Sequence, residues 1–196
     1  PKAVVVGAYQ RKLEELARLP GLQLTVLAPP GWRDSRGYTR LERVHVTGYQ
    51  LLATPLAFDG HFHVHFYPRL ARELAALQPD LLHMDEEPCN LATLQGVWLA
   101  QRQGTPACFF TWQNLYRSYP PPFRWFERYV FRHVAHALAG NAEAIGILQR
   151  KGYRGPATLV PQFGVDPDIF RPVTRPPSPR FVIGYAGGLV PEKGID

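Results

Sequence analysis

The sequence predicts an α/β fold, a doubly wound parallel sheet with helices on both faces. Three observations lead there. Short apolar runs of strand length alternate with amphipathic stretches of helix length throughout the chain. Several runs are continuously apolar, as strands buried on both faces are. Glycines and prolines punctuate the alternation where elements must stop. Right-handed crossovers between parallel strands then give a Rossmann-like domain.

The elements follow in order. Residues 3–6 form an apolar run ending at Gly7 and predict a first core strand whose initiator Met is missing. Residues 11–19 place Leu13, Leu16 and Ala17 at helical spacing. Residues 22–30 predict a second strand, stopped by two prolines. Residues 31–60 are irregular, with strands expected at 43–46 and 50–53. Residues 67–79 predict an amphipathic helix that opens near a proline and ends at Pro79. A strand is expected at 80–84, a helix at 90–104 closed by Gly104, and a strand at 105–112. A helix over 121–137, a short strand over 137–141, a helix over 142–152 and a strand over 157–161 complete the domain. Residues 172–179 hold four prolines in eight positions and predict a stiff linker. Residues 181–185 predict one more buried strand, followed by a glycine loop at Gly187 and Gly188. The expected organisation is a domain over 1–171, a linker over 172–180, and the first strand and loop of another domain over 181–196.

Composition bounds the partners. With 196 residues, 45% of them hydrophobic and 19% charged, the chain can bury one large core. A formal charge of +6 suits an anionic partner, or marks no more than a mildly basic protein. Two cysteines, Cys89 and Cys108, lack metal-ligand spacing and argue against a disulfide scaffold and a zinc site. They point to a reducing, cytoplasmic compartment. No stretch approaches the ~20 apolar residues of a membrane span, and the N-terminal apolar run is too short for a signal peptide.

Ligands of such sheets bind at the carboxyl ends of the strands, so the loops after Val6, Met84, Thr111, Gly140 and Tyr185 matter most. Gly7 opens the first and lets a backbone or ligand come close, or is a plain turn glycine. Arg11 beyond it pairs with a phosphate or is solvated. A single glycine does not make a dinucleotide fingerprint. His61, His63 and His65 alternate and would share one face of a strand. That face is solvated or a polar cleft wall, and with no acidic or cysteine ligand nearby no metal is expected. Asp85, Glu86 and Glu87 sit between a strand and a helix. They favour the helix N-terminus, or else Glu86 or Glu87 points into the cleft and binds hydroxyls. Trp112, Gln113 and Asn114 end another strand. Neutral donors and acceptors beside a flat apolar face suit a polyhydroxylated ligand, although a capping surface loop has the same composition. Arg124, Arg128 and Arg132 recur at i, i+4 and i+8, edged by Trp125 and Tyr129, opposite Phe123, Phe126, Val130 and Val134. Like charges in that row cost about a few tenths of a kcal/mol each. The row is a solvated face or a peripheral contact with an anionic membrane. No recognisable nucleic-acid-binding module is present.

Three stretches carry a family resemblance. Residues 137–153 resemble the strand, Ser/Asn turn and Lys/Arg-Gly helix end of the retaining group 1 (family 4) glycosyltransferases, which have two Rossmann domains facing across a cleft. Residues 159–172 resemble that family's Pro-Asn-Gly-Val-Asp to Phe-x-Pro segment, matching at Pro161, Gly164, Val165, Asp166, Phe170 and Pro172. Residues 183–196 resemble the opening of its second domain, and residues 80–88 match a weaker family stretch. The resemblance implies the acceptor-binding half of a GT-B enzyme, a fragment inactive alone, with the paired-glutamate motif beyond Asp196. It implies a nucleotide-sugar donor, a sugar or lipid-linked acceptor, no metal and no bound cofactor. It would have Lys193, Gly188, Gly7 and Arg11 near the donor phosphate, and Glu86, Glu87, Gln113 and Asn114 in the acceptor cleft. Two positions depart from the family. Gly188 stands where the family has an arginine. Gln113 stands where it often has a histidine, with His61 or His63 candidates to fill that role. A UDP-sugar epimerase of the same architecture and a non-catalytic sugar- or nucleotide-binding domain are the alternative readings.

Overall fold

A computed structural model describes residues 2–34, 37–162, 164–174 and 180–187. The chain divides into two compact units, Pro1–Gly164 and Val165–Asp196. The first is mixed α/β, with parallel sheets flanked by helices in a Rossmann-like arrangement.

Its elements are α1 (Arg11–Ala17), β1 (Thr25–Ala28), β2 (Gly31–Asp34), β3 (Gly37–Arg40), β4 (Gln50–Ala53), α2 (Leu70–Leu77), β5 (Leu82–Met84), α3 (Leu91–Gln103), β6 (Ala107–Thr111), α4 (Phe123–His133), β7 (His136–Ala139), α5 (Ala142–Arg150) and β8 (Ala157–Leu159). Strands β5, β6, β7 and β8 form a four-stranded parallel sheet in that order. Each crossover carries one helix, and all three helices pack on one face. Val97 and Ala100 of α3, Val130 of α4 and Leu148 of α5 meet Phe109 of β6 in one core. Phe109 is fully buried, and all five residues of β6 are buried. Strands β1 and β4 form a separate parallel pair.

The helices stop where their chemistry predicts. Gly104 closes α3 in the left-handed region at φ 72°, and its N–H bonds to the carbonyl oxygen of Gln101. Asn141 caps α5, its Oδ1 accepting from Ala144 N at 2.8 Å.

Four local expectations are corrected. Residues 3–6 are not a strand. Lys2–Val5 and Gly7–Gln10 are 3-10 helices. The apolar run marked burial rather than conformation, since Val4 and Val5 are both 1% exposed. Their carbonyls find partners outside any sheet: Gln10 Nε2 donates to Val4 O at 2.9 Å and Glu42 N to Val5 O at 3.0 Å. Residues 43–46 are not a strand either. Val44 N and His45 N donate to Gln10 Oε1 at 3.1 and 3.3 Å, so a buried glutamine side chain satisfies donors that a neighbouring strand would otherwise take. Strands form instead at β2 and β3, an antiparallel pair too polar to show strand periodicity, with the Arg33 guanidinium over the Tyr38 ring. The histidine row is a turn: Val64 N and His65 N both bond to His61 O, and the three do not share a face, since His61 is exposed, His63 half-buried and His65 buried.

In the second unit, Ile169 N and Phe170 N bond back to Asp166 O in a short turn. Residues 181–185 are not a strand. No partner strand lies beside them among the described residues, and Phe181, Val182 and Ile183 are exposed. The expected loop residues Gly188 and Lys193, and linker residues 175–179, lie outside the described residues.

Phe109→Ala is expected to cost about 3–5 kcal/mol of stability by emptying the core of the four-stranded sheet. Phe181→Ala, at a side chain 92% exposed, should stay within about 0.5 kcal/mol. Urea unfolding compares the two, and equal losses would contradict the assignment of residues 181–185 to the surface.

Candidate functional site

The carboxyl ends of β5, β6, β7 and β8 lie on one edge of the sheet, and the loops leaving them meet there. After β5 the chain bends at Glu86, and the three successive acids take different partners. Asp85 accepts from Gln162 Nε2 at 2.7 Å. Glu86 turns inward, is 6% exposed, forms an ion pair with Lys2 and accepts from Asn90 Nδ2 at 3.2 Å. Glu87 turns back toward β6, accepting from Thr111 Oγ1 at 2.6 Å and Trp112 N at 2.8 Å. Trp112 Nε1 in turn donates to Gln162 Oε1 at 2.5 Å. Asp85, Gln162, Trp112 and Glu87 thus tie three loops into one polar rim. The Trp112 indole lies against Gly140 at the end of β7, where an added Cβ would come within 2.6 Å of ring carbons.

Inside this rim is an open cavity of about 200 Å³ lined by Glu87, Trp112, Gln113, Asn114, Arg117 and Tyr119, among others. Its floor is a buried network. Lys151 Nζ donates to Gln113 Oε1 and to Glu127 Oε1, both at 2.6 Å. The Lys151 and Glu127 side chains are only 4% and 7% exposed. Gln113 Nε2 donates to Tyr119 OH at 2.6 Å, and the Lys151 ammonium stands 4.7 Å from the centre of the Tyr119 ring. The lysine therefore fixes which end of the Gln113 amide is which: the carbonyl oxygen faces Lys151 and the NH2 faces Tyr119. One amide hydrogen remains for a ligand.

Burial shifts the acids of this region. It pushes the Glu87 carboxyl up, against the lowering effect of the Thr111 and Trp112 hydrogen bonds. It pushes Glu127 up as well, opposed by Lys151. It also holds the Tyr119 phenol well above its ordinary value, so that group stays protonated.

Among the remaining sequence candidates, His63 borders the cavity wall, its ring 5.6 Å from that of Tyr119 and its Nδ1 2.9 Å from Asn90 Oδ1. Cys89 Sγ lies 3.8 Å from the same Nδ1. Cysteine, histidine and asparagine are thus adjacent, but the thiol and the amide converge on one ring nitrogen, and burial pushes the thiol up to about 12. A nucleophilic triad needs them on opposite nitrogens and a thiolate near neutrality, so this cluster is structural. His61 is exposed on the turn. Gly7 N donates to Glu42 Oε2 at 2.5 Å, and Val44 fills the space over the glycine, so the close approach it permits is to its own chain. Arg11 lies 3.7 Å from Glu14 and 3.5 Å from Glu15 on the surface of α1. The structure therefore gathers Glu87, Gln113 and Asn114 in one cavity, puts His63 beside it, and sets Glu86 in the interior.

Lys151, Glu127, Tyr119 and Arg117 were missed at the sequence level. One signal pointed to Glu127. It is the single carboxylate on the Phe123, Phe126 and Val130 face of α4, where a charge needs a buried partner.

Residues 6–162 match the glycosyl transferase 4-like domain family, and the chain belongs to that family. No curated protein and no solved structure matches it. Membership makes the chain a glycosyltransferase-type domain. The cavity itself lies at the carboxyl ends of β5 and β6, the edge at which doubly wound folds bind ligands.

Replacing Lys151 by methionine is expected to leave Glu127 buried without its partner and to cost about 3–5 kcal/mol near neutral pH. The sign with pH follows. Without the lysine, the folded-state carboxyl moves further above its unfolded value, so the folded protein holds the extra proton. Stability is then lost as pH rises from the ordinary carboxylate range through the raised folded value. Urea unfolding of the variant and the parent should differ least near pH 4 and most at neutrality. A deficit independent of pH would refute the buried-charge account.

Proposed function

We propose that this chain is the acceptor-binding half of a retaining, nucleotide-sugar-dependent glycosyltransferase of group 1, with a domain boundary near the proline-rich segment at 172–180. The observation that supports it most is the cavity at the carboxyl ends of β5 and β6, in a domain of this family, lined by neutral, acidic and basic hydrogen-bonding groups beside an aromatic face. The Trp112 indole offers a sugar its flat apolar surface. The Gln113 amide donates to one hydroxyl, Glu87 accepts from another, and Asn114 reaches from the rim. Gln113 cannot transfer a proton at neutral pH, so its role is to orient the acceptor rather than to act as a base. Arg117 is suited to an anionic group on either substrate. Lys193 would hold the donor phosphate, stabilising charge as it develops on the leaving group. Neither metal nor cofactor enters this scheme.

The complete natural protein provides the test, with a panel of nucleotide sugars and sugar or lipid-linked acceptors. Nucleoside diphosphate should be released only when an acceptor is present, and NMR of the product should show the donor's anomeric configuration retained. Gln113→Ala and Lys193→Ala should each lower kcat/KM at least tenfold, about 1.4 kcal/mol of transition-state stabilisation. Turnover of the nucleotide sugar without an acceptor would instead indicate an epimerase, and saturable binding without turnover a binding domain. Unchanged turnover and donor KM in Lys193→Ala would remove the phosphate role.

A further inference from the structure

Helices α3 and α4 lie side by side on the outside of the sheet, joined by a hydrogen bond from Tyr129 OH to Gln101 Oε1 at 2.5 Å. Their outer face has an unusual composition. Along α3 a shallow apolar groove is lined by Leu91, Leu94, Gln95 and Trp98, and Trp98 is 44% exposed. The Arg102 guanidinium stands 5.0 Å from the centre of the Trp98 ring. Along α4, Arg124, Arg128 and Arg132 are exposed, and Trp125 between them is 59% exposed. No acid of either helix is exposed on this face. Helix α3 contains no Asp or Glu, and the one acid of α4, Glu127, is turned inward onto Lys151. Among the described residues, none of the three arginines of α4 forms an ion pair.

Two exposed tryptophans set among four arginines, with no carboxylate, match the chemistry of a membrane interface. Indole rings settle at the level of the headgroups, and guanidinium groups pair with anionic lipid phosphates. A solvated face of a soluble domain ordinarily mixes both signs of charge and hides its tryptophans. We propose that the outer face of α3 and α4 docks on an anionic lipid surface, with Trp98 and Trp125 inserted at headgroup depth and Arg102, Arg124, Arg128 and Arg132 on the lipid phosphates. Both helices begin at the sheet edge that carries the cavity. The proposal rests on this surface alone and stands apart from the glycosyl-transfer reading.

Co-sedimentation of the chain with vesicles tests it. Phosphatidylcholine vesicles should leave the chain in the supernatant, and vesicles containing phosphatidylglycerol should pellet it at low salt. The triple substitution R124Q/R128Q/R132Q should weaken partitioning by about a hundredfold, taking each basic residue near the surface at its usual worth. The charge-conserving R124K/R128K/R132K should retain most of it, which controls for loss of fold. W98S/W125S should abolish the blue shift of tryptophan fluorescence on vesicle addition and leave a weaker, salt-sensitive attachment. Absence of binding to phosphatidylglycerol vesicles, or equal binding by the glutamine variant, would overturn the proposal. So would a single- or double-stranded oligonucleotide that binds at the same salt and displaces the chain from vesicles through the same arginines.

Discussion

The structure depends most on the burial of strand β6. Its five residues are inaccessible on both faces, which is attainable only in the middle of a sheet with layers on either side. Parallel neighbours β5 and β7 follow from that position, and parallel neighbours require crossovers of one hand. Those crossovers put α3, α4 and α5 on the Phe109 face. They also bring every carboxyl-end loop to one edge. The cavity is a consequence of this alignment: Glu87, Trp112, Gly140 and Gln162 are far apart in sequence, and each follows its strand to the same place.

A buried ion pair then shapes the floor of the cavity. Placing Lys151 and Glu127 out of water is costly, and a pair of apolar residues would be no less stable there. What the pair contributes is direction. An amide held only by water could turn either end to a ligand, whereas Gln113, bonded to Lys151 at one end and Tyr119 at the other, presents a donor. The same inward turn of Glu127 strips the outer surface of α4 of its one acid. The polar floor of the cavity and the uniformly basic helix face thus share a structural origin.

Much of the fold was legible in the sequence because its signals are local. Periodicity and stop residues located α3, α5 and β6, and the strand-end rule located the loops that build the cavity. The errors fell where satisfaction of the backbone was non-local. Residues 3–6 have the composition of a strand, yet the Gln10 side chain and the Glu42 backbone supply their hydrogen bonds. Strands β2 and β3 have no apolar alternation, and they exist because each pairs with the other. Of three consecutive acids, only Glu87 lines the cavity. Composition could not separate it from Glu86, because the choice depends on which residue faces Thr111 and which faces Lys2.

By itself the sequence determined the α/β class, the order of the main elements, the family motifs at 137–153 and 159–172, and the arginine spacing on α4. These rest on periodicity and residue type, which act over a few positions. Only the tertiary structure decided that Lys151 and Glu127 meet beneath Gln113, that Gly7 closes against its own chain, that His61, His63 and His65 part company on a turn, and that Trp98 and Trp125 stand exposed on adjacent helices. Each of these joins residues distant in the chain or turns a side chain in or out. Such choices are made by the competition for buried hydrogen-bond partners, which no local pattern records.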